Sequence, residues 1–391
     1  MAAPERRILG AMSLVLLLRV FGFSLVLVGF ASYGATLTDS LFLVGLAFSL
    51  YGLAMALFLI PIGRLSDRYG RRRVMMAGLV VTFVGSLACA AAPTIELLLA
   101  ARFLQGAGAV NGVALAWVGD ATAPERRTRS MAVLGVTAGG SVVLGFALGA
   151  LLVDRIGVPG LFLGQAGMAL LAILVVASTP EERGPVGRTP TLREVLATPA
   201  ATQLATAGFA LNLLMTGATF AIPLLALGFL GQAEALPGWL GPGGSGHNAM
   251  IPMLLFGGAI LLVTARLGDK GHARPVALGG FLLLAAAPAG LLLSSVYWAF
   301  LVAGILFFAA HSTLSALLPS LATRLGGGEG RGALLSAYSV SQYVGTSLAG
   351  PLAGALLPHP GWLALVFGAI GVAGLFAALP LARQGQAVKR A

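Results

Sequence analysis

Long apolar stretches separated by short polar ones run through the whole of this 391-residue chain. An α-helix rises about 1.5 Å per residue, so about 20 mostly apolar residues cross the hydrocarbon core of a bilayer. On that criterion the pattern predicts spans over residues 8–33, 41–62, 74–91, 95–120, 129–153 and 160–177. After a polar interval, further spans are predicted over 201–228, 250–265, 276–293, 298–322, 332–357 and 361–381. The eighth is the shortest and follows a Gly/Pro-rich stretch, residues 231–248, that reads as an outer loop. The predicted fold class is an all-α polytopic membrane protein with 12 transmembrane helices in two pseudo-symmetric six-helix bundles. The predicted division is an N-terminal bundle over 1–178, a cytoplasmic linker over 179–199 and a C-terminal bundle over 200–391.

Two echoes between the halves support a repeat. Arg64-Leu65-Ser66-Asp67-Arg68 returns as Arg266-Leu267-Gly268-Asp269-Lys270, 202 residues later. The segment from Gly145 through Gly149 to Leu152 returns as Gly350-Pro351-Leu352-Ala353-Gly354-Ala355-Leu356-Leu357, 205 residues later. Their nearly equal offsets place both pairs at equivalent positions of two six-span halves, the arrangement of parallel-repeat transporters. The glycines Gly145, Gly149, Gly350 and Gly354, with Pro351, are the expected helix-packing positions, because small residues let helix backbones approach in lipid.

Composition agrees with the pattern. The chain is 58% hydrophobic and 9% charged, and its mean hydropathy is +0.95. A soluble domain carries about 25% charged residues, so this chain has too little polar surface to cover a water-soluble globule. A net charge of +11 would suggest nucleic acid in a soluble protein. Here 21 of the 24 Lys and Arg fall in alternate inter-span segments or at the two ends of the chain, which makes topology the better reading and excludes a nucleic-acid partner. Positive residues accumulate on the cytoplasmic side. The expected placement is a bacterial inner (plasma) membrane with both termini cytoplasmic. The lone Cys89 cannot form an intramolecular disulfide. No nucleotide-binding loop, metal-ligand spacing or nucleophile triad appears, so no enzyme and no cofactor are expected.

The segment 63–75 joins the second and third spans. In it Gly63, Leu65, Asp67, Arg68, Gly70, Arg71 and Arg72 form the pattern G-x-L-x-D-R-x-G-R-R. That pattern resembles the loop 2–3 signature of the major facilitator superfamily. Arg102-Phe103-Leu104-Gln105-Gly106-Ala107-Gly108-Ala109 in the fourth span resembles the family's R-x-x-Q-G-x-G-A motif. The glycine series of the fifth span resembles the antiporter motif G-x-x-x-G-P-x-x-G, with Phe146 at the proline and Ser141 at the first glycine; Pro351 supplies the proline in the repeat. The N-terminal half most resembles the family's YajR-like drug:proton antiporter group, and the resemblance of fold covers the whole chain. The resemblance implies that Asp67 faces the start of the eleventh span and that Arg68, Arg71 and Arg72 pair with Asp120. These residues, with Asp269 as a weaker copy, would form a conformational gate.

Candidates for the substrate cavity or for coupling are sparse. Arg19 lies eleven residues into the first span, about 17 Å from its start, where a charge normally faces a wet cavity or a partner. Arg102 cannot titrate usefully and would act by tuning a neighbouring acid. No Asp or Glu sits in the middle of a predicted span. The expected proton carriers are therefore the outer-end acids Asp39 and Glu96, and His311 in the tenth span. Gln105, Asn212, Tyr338 and Gln342 complete the candidate set, each also able to link helices by hydrogen bonds. The expected function is proton-coupled efflux of small amphipathic molecules, driven by the proton gradient. An organic-anion carrier or uniporter is the alternative within transport, because the charge at Arg19 is positive. A non-transporting assembly factor or sensor is the alternative of another class. The expected partners are a small-molecule substrate, membrane lipids and protons, with the chain a monomer.

Overall fold

A computed structural model describes residues 3–180, 198–232, 237, 241, 246–267, 273–325 and 330–390. The described residues are helical and contain no strand. Helices α1 (Ala3–Leu37), α2 (Leu41–Tyr69), α3 (Arg71–Ala90), α4 (Ile95–Ala107), α5 (Asn111–Ala121) and α6 (Pro124–Ala177) come first. They are followed by α7 (Pro199–Ala226), α8 (Met250–Leu267), α9 (Ala273–Leu293), α10 (Tyr297–Leu325), α11 (Gly330–Leu356) and α12 (Pro360–Arg390). Among the described residues, nine helical stretches are long and apolar enough to cross a membrane.

Local chemistry sets the boundaries. Gly70, between α2 and α3, has φ 99°, a left-handed backbone that a side chain would strain. Thr94 caps α4 by accepting from the Leu97 N–H at 3.5 Å, and Thr198 caps α7 by accepting from Ala201 at 3.2 Å. One sequence expectation changes. The fourth span is not one helix over 95–120 but two, broken at 108–110. The break follows from a tight turn in which the Val110 N–H donates to the Gly108 carbonyl at 2.8 Å, leaving the helical ladder. The fifth and sixth spans are two helices, as expected: the stretch labelled α6 breaks at Gly157, where φ is 67° and ψ 173°, and the chain turns there in a sharp kink.

The helices form two compact units. The first comprises residues up to Thr38 together with those from Leu50 to the end of α6. Its core packs Ile8, Met12 and Val15 of α1 against Leu79 of α3, Val113 and Trp117 of α5 and Val176 of α6. Here α6 crosses α1 at Gly145 and Gly149: a Cβ on Gly149 would stand 2.4 Å from the Leu25 carbonyl oxygen. In the same unit, α4 closes on its neighbours through glycines. A Cβ on Gly85 would stand 2.5 Å from the Gln105 backbone, and one on Gly106 would stand 2.3 Å from the Tyr51 carbonyl oxygen.

The second unit comprises α7 to α12 with residues Asp39–Ser49, the beginning of α2. Residues 39–49 group there because Gly45 packs on the backbone of Gly350, and the Ser49 hydroxyl accepts from the Gly350 N–H at 2.8 Å. A Cβ on Gly354 would similarly strike the Leu41 carbonyl.

Candidate functional site

The close approach of α4 to α2 and α3 brings polar side chains of five helices together inside the first unit. Arg102 is fully buried on α4. Its guanidinium lies 5.1–5.9 Å from the ring centres of Phe23, Phe30, Tyr51 and Phe162. Aromatic faces are negative, so this cage offsets part of the loss of water around the charge. Arg102 also donates to the Gln105 oxygen at 2.6 Å. Gln105 in turn donates to Ser86 at 2.9 Å and to the Gln165 oxygen at 3.0 Å.

Arg19 of α1 stands at the break between α4 and α5. It donates to the Gly108 carbonyl at 2.7 Å and to the Tyr51 hydroxyl at 3.3 Å. A helix end leaves carbonyls without their usual intrahelical partners, and here the cation adds a donor to the one that the Val110 N–H supplies. Thr82 adds a weaker contact to the same carbonyl at 3.5 Å. Leu18, Arg19, Tyr51, Thr82, Gln165 and Ala169 line a small hollow beside this point. Arg19 is only 7% exposed, so its charge is held by these groups rather than spread into open water.

A second cluster lies at the motif segment. Arg71 pairs with Asp67 at 2.5 Å and with Asp120 at 3.0 Å, and donates to the Ser66 hydroxyl at 2.5 Å. Arg72 donates to the Ala177 carbonyl at the end of α6, and Arg7 donates to Ser178 there at 3.0 Å. Both cations face the negative end of the α6 dipole. Arg68 instead extends outward over the Tyr69 ring at 5.3 Å. Leu65 is exposed, and Gly63 has open space where a Cβ would stand.

The other candidates are dispersed. Glu96 is exposed at the start of α4, six residues and about 9 Å along the axis from Arg102, so the two are not brought together. Asp39 is exposed just before α2. In the second unit, His311 meets Ser315 at 3.3 Å on its own helix, and Asn212 donates to the Gly208 carbonyl at 3.3 Å. Tyr338 is buried against Gly208, and its hydroxyl has no hydrogen-bond partner. Gln342 is half-buried on α11. Pro351 lies within that helix. Asp269 lies outside the described residues.

Sequence reasoning missed Gln165, Ser86, Thr82 and Tyr51 as members of the first cluster. Gln165 carried a usable signal, since it is a lone amide in an otherwise apolar span. Also unforeseen is the pair between buried Glu5 and Arg126, at 2.9 Å, which joins the starts of α1 and α6.

Known proteins resemble this chain in sequence and in fold. The Major Facilitator Superfamily model matches residues 12–261. The chain is 30% identical over 369 residues to the Inner membrane transport protein YajR of Escherichia coli (strain K12), covering 90% of this chain and 78% of that protein. It is 38% identical over 136 residues to the Multidrug resistance protein Stp of Mycobacterium tuberculosis (strain CDC 1551 / Oshkosh), covering 34% of this chain and 25% of that one. A crystal structure of the nucleoside transporter NupG superposes with a TM-score of 0.74 over 96% of this chain and 99% of that one; at 10% identity this is a likeness of fold alone.

Proposed function

The chain belongs to the Major Facilitator Superfamily and is a multi-pass transporter-family protein, not an enzyme, and on that premise we propose that it exports small amphipathic molecules by proton-coupled alternating access. The reading takes the 12 helices as two pseudo-symmetric bundles, 1–178 and 200–391, joined by a cytoplasmic linker, with both termini in the cytoplasm of a bacterial cell. The protein works as a monomer in the inner membrane, without a cofactor, and the proton gradient drives it.

The observation that carries this reading is the Asp67–Arg71–Asp120 cluster. A static scaffold does not require three charges of a short loop and two helix ends to be ion-paired in a half-buried site, whereas a gate that forms and breaks does. Gly63, Leu65, Asp67, Arg68, Gly70, Arg71, Arg72 and Asp120 are assigned to that gate, with Asp269 as the copy in the second half. Arg19, Arg102 and Gln105 belong to the cavity side of the first bundle, and Asn212, Tyr338 and Gln342 to that of the second. Asp39, Glu96 and His311 are the proton carriers of this scheme.

The test is substrate-stimulated proton flux in liposomes containing the purified chain. Proton movement that depends on an amphipathic substrate, and that falls when Asp39, Glu96 or His311 is neutralised, is the expected result. Full proton-coupled flux in all three variants overturns the assignment of carriers. Substrate movement with no proton flux overturns the coupling.

A further inference from the structure

Arg102 fixes the direction of a chain of amides. A guanidinium only donates, so the Gln105 oxygen faces it, at 2.6 Å. The Gln105 nitrogen is thereby turned toward Gln165, whose oxygen accepts at 3.0 Å. The far end of this chain is the Gln165 amide nitrogen, a donor, and Gln165 lines the hollow beside Arg19. Tyr51 adds a second donor: its oxygen already accepts from Arg19, which leaves its own O–H to donate. Arg19 uses N–H groups on Gly108 and Tyr51 and, with five in all, keeps others. Thr82 directs its hydroxyl proton to the Gly78 carbonyl at 3.0 Å. The lining therefore combines one positive charge with convergent donors, and it contains no carboxylate.

We propose that this hollow is the subsite for a carboxylate carried by an amphipathic substrate, with Arg19, Tyr51 and Gln165 as its ligands. An ionised carboxylate accepts at about four lone-pair positions and donates nothing, the complement of this lining. An ammonium would meet donors and a like charge. Leu18 and Ala169 supply an apolar wall for the substrate's stem. Arg19 can turn toward such a ligand without orphaning Gly108, whose carbonyl keeps the Val110 N–H at 2.8 Å. The proposal rests on the transport reading above and narrows its substrate to organic anions.

The experiment compares phenylbutyrate with its near-isosteric neutral amide, phenylbutyramide, by calorimetric binding to the purified full chain, and follows the same pair in the liposome assay. The wild type is expected to bind the carboxylate at least about tenfold more tightly than the amide. Arg19→Gln is expected to weaken carboxylate binding by about 10- to 100-fold and to erase the preference. Arg19 also caps a helix break, so Tyr51→Phe and Gln165→Leu serve as second variants, each lowering carboxylate affinity several-fold and leaving amide affinity unchanged. Equal affinity for the two ligands, binding of neither, or a preference that survives in all three variants overturns the proposal. Selective carboxylate binding without movement across the liposome sustains the subsite and sinks the transport reading. Equal proton-coupled movement of amide and carboxylate does the reverse.

Discussion

Arg71 holds Asp67 at 2.5 Å and Asp120 at 3.0 Å, so one guanidinium joins the end of α2, the start of α3 and the end of α5. The planar fork of Arg suits this double duty, and Lys presents only a point charge. Removing the cation leaves two partly buried carboxylates facing each other. Arg71→Ala is therefore expected to cost about 2–4 kcal/mol, more than Asp120→Asn at about 1–2 kcal/mol, with Arg71→Lys between them. Unfolding of the solubilised protein checks the order. An Asp120→Asn variant less stable than Arg71→Ala contradicts it.

The crossing of α6 on α1 gives a packing prediction. A Cβ at Gly149 would come within 2.4 Å of the Leu25 carbonyl oxygen, which belongs to backbone and cannot rotate away. Gly149→Val is expected to push the two helices apart and to cost about 3 kcal/mol or more. Gly135, on the same helix, has nothing within 4 Å of its Cβ position. Gly135→Ala is expected to be neutral or to stabilise by up to about 1 kcal/mol through helix propensity. Equal losses of stability in the two variants would show that the close approach does not matter.

Much of this architecture is legible as hydropathy and loop charge, because lipid demands long apolar helices and water takes the arginines. The motif segment 63–75 points to Arg68, Arg71 and Arg72 as partners of Asp120; Arg71 makes that pair, while Arg72 donates to the end of α6 and Arg68 lies over Tyr69. The break at 108–110 was not legible. Small residues such as Gly106, Ala107, Gly108 and Ala109 fit a continuous membrane helix as well as a turn, and the choice lies in the contact that Arg19 makes from another helix. The cluster around Arg102 was hidden for the same reason. Ser86, Thr82 and Gln165 are single polar residues in apolar spans, and only the three-dimensional packing shows that they face one another.

Arg102 offers a test of cage chemistry. Its flat, weakly hydrated guanidinium lies among four rings and donates to Gln105. A Lys ammonium is compact and strongly hydrated, and loses more on entering a dry site. Arg102→Lys is expected to destabilise at least as much as Arg102→Met, which removes the charge and unpairs the Gln105 oxygen at about 1–3 kcal/mol. Thermal unfolding of both variants decides the matter. A Lys variant with near wild-type stability would mean that charge alone, not shape, holds the cluster.

The pair between Glu5 and Arg126 sets two helix starts against each other. Glu5 lies in the first turn of α1, where the helix dipole favours an anion, and it is 5% exposed. Arg126 lies in the first turn of α6, where the dipole disfavours a cation, and its side chain is half exposed. Each oxygen of the carboxylate receives one N–H of the guanidinium, at 3.2 and 2.9 Å. The two losses should differ. Arg126→Ala removes a misplaced cation yet strips a buried carboxylate of its bidentate partner, so the second effect wins and the variant loses about 2 kcal/mol. Glu5→Gln keeps one acceptor and leaves a cation that water can reach, so it loses about 1 kcal/mol. With both changes made, the buried charge and its need for a partner disappear together. The double variant should then be more stable than the sum of the single losses predicts, by a coupling of about 1–2 kcal/mol. A double-mutant cycle on the solubilised protein measures that term directly. Additive losses would show that the pair contributes no energy of its own and that the starts of α1 and α6 are held by their apolar packing alone.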